Sequence, residues 1–225
     1  MKKLLLLTVV LTLSIVLSGC KNKEEEQEPI VHDIPREIPV NIQELAYSDY
    51  LNLNNPVVTI TVEGMGEIVF QLFPDVAPNT VNSFIQYVEE GEFENNEFHR
   101  VVEGFIIQAG SLEEPACNIP GEMTQNDFEN NLLHYAGVVS MAKVGNEYNS
   151  ATSQFFILTT NAAYLDEEYA TFGGLVSGFQ IVDYISSLQG DNGEVPSVKV
   201  VITSITVDLN GYTPSDRVCY VAEEE

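Results

Sequence analysis

The sequence predicts a mainly β domain: a closed eight-stranded antiparallel barrel capped by two α-helices. Three observations carry this expectation. Short β-branched and aromatic runs recur between turn signals from Pro56 onward. Helical spacing of apolar residues occurs in only two segments, set far apart, so the chain does not alternate as βαβ units do. A chain of many short strands also needs its sheet edges removed, and closing the sheet does this.

Before the barrel come two segments of different character. Met1-Lys-Lys is a short basic start, followed by the apolar run Leu4–Leu17 and then Leu17-Ser-Gly-Cys20. The run is short for a bilayer span, which needs about 20 residues, and it suits the core of a signal peptide over residues 1–19. Its ending resembles the lipobox of bacterial lipoproteins. That resemblance implies a diacylglycerol on Cys20, anchoring the mature chain at the cell membrane on its extracytoplasmic side. The other reading is an ordinary secretory signal with Cys20 incidental. Residues 20–55 read as a tether: Lys21–Glu28 is charged, and Pro29, Pro35 and Pro39 interrupt the stretch after it. After Ile42 the apolar content rises, enough for that part to pack on the domain.

Within residues 56–209 the elements come in order. Val57–Glu63 and Glu67–Phe73 are strand-like and joined by Gly64-Met65-Gly66 as a hairpin. Pro74–Pro78 turns the chain. Asn79–Glu90 places Val81, Phe84, Ile85 and Val88 at helical spacing, and Gly91 ends it. Strands are expected at 98–102, 104–109, 137–142, 154–159 and 169–176. A second helix near 179–189 aligns Ile181, Val182, Ile185 and Leu188, and the last strand lies in Ser197–Leu209. Residues 210–225 read as an acidic tail.

Composition excludes several functions. Nine Lys plus Arg against 34 Asp plus Glu leave a formal charge of −25, the wrong sign for nucleic acid or a polybasic membrane surface. The three histidines, His32, His99 and His134, show no zinc-ligand spacing, and there is no GxSxG elbow, P-loop or dinucleotide turn. No metal and no cofactor are therefore expected. With Cys20 set aside, Cys117 and Cys219 are an even pair in an exported chain, open to reading as a disulfide or as free thiols.

One stretch demands an explanation. Phe98-His-Arg-Val-Val-Glu-Gly-Phe-Ile-Ile-Gln-Ala-Gly110 puts an arginine into an apolar hairpin, where it needs a partner or a task. Together with Gly137-Val-Val-Ser-Met-Ala142, Ser153-Gln-Phe-Phe-Ile157 and Phe172-Gly173, it resembles the cyclophilins, the barrel-shaped peptidyl-prolyl isomerases. The resemblance spans roughly Pro56–Leu209. It implies that Arg100 acts at the prolyl nitrogen, with Phe105 and Gln108 completing the catalytic set. Phe105, Ile106, Met141, Phe156 and Leu165 would hold the proline ring. Gln108 would bind the substrate backbone, and Ala142, Lys143 and Gln154 would border the adjoining groove.

This chain departs from the family at four places. Tyr164 stands where many members carry tryptophan, which weakens the expectation of cyclosporin binding. Tyr169 replaces a common histidine but keeps an aromatic wall. Lys143 replaces asparagine, where the backbone usually makes the contact. Ser111–Asp127 replaces a glycine-rich turn and brings Glu113 and Glu114; an acidic rim would disfavour acidic peptides. His99 reads as a structural histidine and Phe155 as core. The resemblance implies a monomeric isomerase acting on proline-containing polypeptides, here exported proteins during folding. A proline-peptide scaffold without turnover and a general chaperone are the other readings.

Overall fold

The computed structural model describes residues 32–35, 40–191 and 193–222. The expected signal peptide, Cys20 and the charged run Lys21–Glu28 lie outside these residues. Eight strands and two helices run in the order β1 (Val57–Val62), β2 (Gly66–Leu72), α1 (Pro78–Glu89), β3 (Arg100–Val102), β4 (Ile106–Ala109), β5 (Val138–Met141), β6 (Phe155–Leu158), β7 (Thr171–Ser177), α2 (Phe179–Ser186) and β8 (Ile202–Asp208). Every segment expected as a strand or helix contains one, with ends shifted or shortened by one to several residues.

All pairings are antiparallel, in the sheet order β3-β4-β6-β5-β7-β2-β1-β8. The expected closed barrel is not formed; the sheet curls into a half-barrel with β3 and β8 at its edges. The reason is local. β3 has only three residues, and a single bridge, Glu97 to Val201, spans the gap. Beyond it the outer N–H of Val101 bonds to Glu194 O instead, in the segment before β8. The exposed edge is covered by a loop, not by another strand.

Alternation along the strands fills the concave face with Val58, Ile60, Ile68, Phe70, Phe155 and Phe172, all fully buried. Phe84 of α1 drops into this layer and meets Phe70, Phe93, Phe155 and Phe172 at centroid distances of 5.3–5.9 Å. Phe155 is thus core, as its strand parity predicts. Helix α1 begins with Pro78 at its first turn but has no side-chain cap of its own. Glu122, from the 111–127 loop, supplies one: its two carboxylate oxygens accept the N–H groups of Asn79 at 2.9 Å and Thr80 at 2.7 Å.

Two flanking segments pack on the domain. Within the segment read as a tether, Asn41–Asn55 does so, as the apolar content after Ile42 allowed. Tyr47 is fully buried, and its hydroxyl donates to Leu175 O at 2.9 Å. Gly174 has to be glycine here, since a Cβ would strike the Tyr47 ring. The 210–225 tail, read from the sequence only as acidic, packs on α1. Tyr212 Oη donates to Asn82 at 2.8 Å, Arg217 Nε to Gln86 at 2.8 Å, and Val218 N to Asn79 at 2.7 Å. The tail lies along Asn79, Asn82 and Gln86 of α1, and the Arg217 guanidinium sits 4.1 Å from the centre of the Tyr87 ring, so polar Asn82 is buried on this helix as well as its apolar stripe.

Cys117 and Cys219 form a disulfide, with Cα atoms 5.8 Å apart and 102 residues between them in sequence. It joins the tail to the 111–127 loop, beside a backbone bond from Tyr220 N to Asn118 O. Cross-links closing long loops restrict the unfolded chain most. Serine at both positions lowers the unfolding free energy by about 2–4 kcal/mol, measured by chemical denaturation. A variant as stable as the wild type would show that the tail contacts suffice alone.

Candidate active site

Cross-strand register assembles the site. Residues directly opposite each other in an antiparallel pair share one face of the sheet. Arg100 of β3 faces Gln108 of β4, Gln108 faces Phe156 of β6, and Phe156 faces Ser140 of β5. One row across four strands therefore sits on the face away from the Phe84 layer. Residues one step off the row turn inward: Met141 pairs with Phe155 and is buried on the core side. The expectation that Met141 lines the proline pocket is corrected on that ground.

A cleft of about 340 Å³ lies over this row, lined by Arg100, Phe105, Ile106, Gln108, Ala142, Lys143, Phe156, Tyr164, Leu165 and Tyr169. Every other residue expected in the groove is here except Gln154, which stands just behind. No described residue of 111–127 lines it. Phe105 and Tyr164 lean together at 5.9 Å, with Tyr164 71% exposed at the mouth. Tyr169 meets Phe156 edge-on at 5.8 Å.

The polar end of the cleft is a chain of directed bonds. Arg100 Nη1 donates to Gln108 Oε1 at 2.9 Å, and Gln108 Nε2 donates to Gln154 Oε1 at 2.8 Å. Arg100 Nε donates to Glu194 Oε2 in an ion pair. That hydrogen bond holds the Glu194 carboxyl below its ordinary range, opposed by desolvation and reinforced by the Arg100 charge. Sequence reasoning missed Glu194, which lies 94 residues away from its partner. Gln108 keeps a second N–H on Nε2 for a ligand.

Lys143 behaves unlike an asparagine replacement. Its side chain is 2% exposed. The ammonium donates to Gly145 O and lies 4.5 Å from the Tyr169 ring centre and 5.3 Å from that of Tyr148. The Ala142 backbone N–H is already bonded to Gln154 O at 2.9 Å. His99 is half-buried and its Nδ1 has no hydrogen-bond partner, and burial lowers its pKa.

Beneath Phe156 lies a second polar group that the motifs did not reveal. His134, 2% exposed, stacks on Phe156 with the rings 12° from parallel. Its Nδ1 is 3.0 Å from Asp166 Oδ1 and its Nε2 3.1 Å from Ser140 Oγ. Ser140 has no exposed surface and His134 is 2% exposed, so these two brace Phe156 from within, while Asp166 is partly exposed. Burial lowers the His134 pKa, opposed by Asp166. A folded-state pKa below the usual 6.5 means stability that is complete above pH 6.5 and lost as pH falls through the folded value. Glu122, raised by burial, acts with the opposite sign, losing stability as pH rises. The His134 contribution alone makes the melting temperature fall toward acid between pH 7 and 5, and His134→Gln should reduce any such fall relative to wild type. An equally steep slope in the variant would assign it elsewhere.

Apolar walls with one fixed guanidinium at the end suit a small apolar ring carrying a polar amide edge. Among the described residues no three His, Cys, Asp or Glu side chains gather into a metal site. The fold and cleft define the class as a cyclophilin-like half-barrel. Residues 57–207 match the family model described as cyclophilin type peptidyl-prolyl cis-trans isomerase/CLD, and the chain belongs to that family. It is 37% identical over 155 residues to peptidyl-prolyl cis-trans isomerase A of Dickeya dadantii, covering 63% of this chain and 80% of that protein. It is 35% identical over 156 residues to isomerase B of Escherichia coli, covering 63% and 94%. A crystal structure of a Cryptosporidium parvum cyclophilin type isomerase superposes with a TM-score of 0.61 at 26% identity, over 68% of this chain and 98% of that one. The same parasite protein has been crystallised in the presence of the dipeptide Ala-Pro. The enzyme class is thus peptidyl-prolyl cis-trans isomerase.

Proposed function

We propose that Arg100 carries the isomerisation, acting on proline-containing segments of exported proteins. An X–Pro amide resists rotation by about 18–20 kcal/mol because the nitrogen lone pair is shared with the carbonyl. Twisting localises that lone pair on nitrogen. A guanidinium held at the mouth of an apolar pocket stabilises the twisted amide more than either planar isomer. Phe105, Ile106, Phe156 and Leu165 grip the ring and keep water from the contact, and the spare Gln108 N–H orients the peptide backbone. The observation that carries this reading is the placement of Arg100 at the edge of that apolar cleft, tied on two of its nitrogens.

Export is supported by the basic and apolar start of the chain, by Leu17-Ser-Gly-Cys20, and by the Cys117–Cys219 disulfide, which suits an oxidising compartment. No helix among the described residues is long and apolar enough to cross a membrane. In this reading the lipid on Cys20 is the anchor. Cells expressing the full chain should incorporate labelled palmitate into it and retain it in the membrane fraction. Cys20→Ser should abolish both. Labelling that survives this change would refute the Cys20 assignment. Slow prolyl isomerisation, tens to hundreds of seconds unaided, gives an exported client a reason to need such an enzyme.

A further inference from the structure

The open edge of the half-barrel bears directly on catalysis. β3 is an edge strand, and its outward groups need partners. The segment before β8 is folded back on itself, with Gly190 N bonded to Val195 O at 2.9 Å and Ser197 N to Leu188 O at 2.6 Å. Glu194 sits at its tip and makes two contacts with neighbouring residues of β3. Its backbone O accepts Val101 N–H at 2.6 Å, and its carboxylate accepts Arg100 Nε–H.

Arg100 has a long side chain that is about a third exposed, so its guanidinium plane is not set by packing. The Gln108 bond at Nη1 fixes one point and leaves the plane free to swing about it. A second acceptor at Nε removes that freedom. Among the described residues Nη2 is then the guanidinium nitrogen without an intramolecular hydrogen bond. Glu194 is not among the residues that line the cleft, so it holds the arginine from outside it.

We propose that Glu194 is a positioning residue for prolyl isomerisation, fixing the guanidinium of Arg100 by a carboxylate delivered on the loop that covers the unpaired edge of β3. This rests on the reading of Arg100 as the catalytic donor. Alignment lost at a reacting group reduces turnover more than binding. The docking of the loop uses backbone atoms, so substitution of this half-exposed side chain leaves Val101 N–H bonded to Glu194 O.

The test compares wild type, Glu194→Ala, Glu194→Gln, Arg100→Ala and the double variant Arg100→Ala/Glu194→Ala on an Ala-Pro peptide. Glu194→Ala should lower kcat roughly tenfold with KM within about twofold. Glu194→Gln should recover most of that loss, because its amide oxygen still accepts from Nε. In the Arg100→Ala background, Glu194→Ala should change nothing further. A Glu194→Ala enzyme as fast as wild type, a glutamine variant no better than alanine, or a loss that persists without Arg100 overturns the proposal. A loss that merely reflects unfolding appears in melting curves and in both backgrounds, and it counts against the proposal equally. If Arg100→Ala itself equals wild type, the underlying reading of Arg100 falls, and that result is separate from any result at position 194.

Discussion

Arg100→Ala lowers kcat/KM for a proline peptide by about 100- to 1,000-fold, the loss typical when one preorganised donor is removed from a developing charge. That corresponds to roughly 2.7–4 kcal/mol of transition-state stabilisation. The variant should remain folded, because β3 is held by backbone bonds to β4 and by the Val101–Glu194 bond. Arg100→Lys should stay close to the alanine value. A lysine has one nitrogen on a flexible stem and cannot keep both Gln108 and Glu194 while offering a third donor. A rate near wild type in either variant, with an intact melting transition, would place catalysis elsewhere in the cleft.

Tyr47→Ala should cost about 3–5 kcal/mol, as for other large buried rings. In a domain of this size each kcal/mol shifts the melting temperature by about 2–4 °C, so the midpoint falls by roughly 6–20 °C. The ring is fully buried against Gly137 and Gly174, and its hydroxyl is satisfied by Leu175 O. Tyr47→Phe removes only that bond and should cost about 1 kcal/mol. An alanine variant melting with wild type would return residues 41–55 to the role of a tether.

These two residues mark how far the sequence alone could be read. Arg100 announced itself because an arginine among Val, Phe and Ile runs against the local pattern, and because its motif fixes Phe105 and Gln108 at set distances. Strands and helices were legible for the same reason: periodicity is local. The burial of Tyr47 was not, since the apolar residues after Ile42 show no helix or strand period, and the glycines at 137 and 174 that make room for it lie far away in sequence.

Met141 failed on parity. A one-residue shift turns a strand side chain to the other face, and the register of β5 against β6 is not visible in either strand alone. The open sheet depended on the shortness of β3 and on a loop competing for its edge. Glu194 and the His134–Ser140–Asp166 trio are contacts between side chains that share no motif. The packing of the tail was not legible because the polar face it covers, Asn79, Asn82 and Gln86 of α1, resembles an ordinary solvated face.

Exchange spectroscopy on an Ala-Pro peptide, with the purified wild-type protein added in catalytic amounts, tests the central claim most directly. Cis and trans resonances that interconvert within a fraction of a second, and revert to the uncatalysed exchange of tens of seconds or more when Arg100→Ala replaces wild type, are the predicted result. Exchange unchanged by a folded wild-type protein would contradict it, and would leave the cleft as a site that binds proline without turning it.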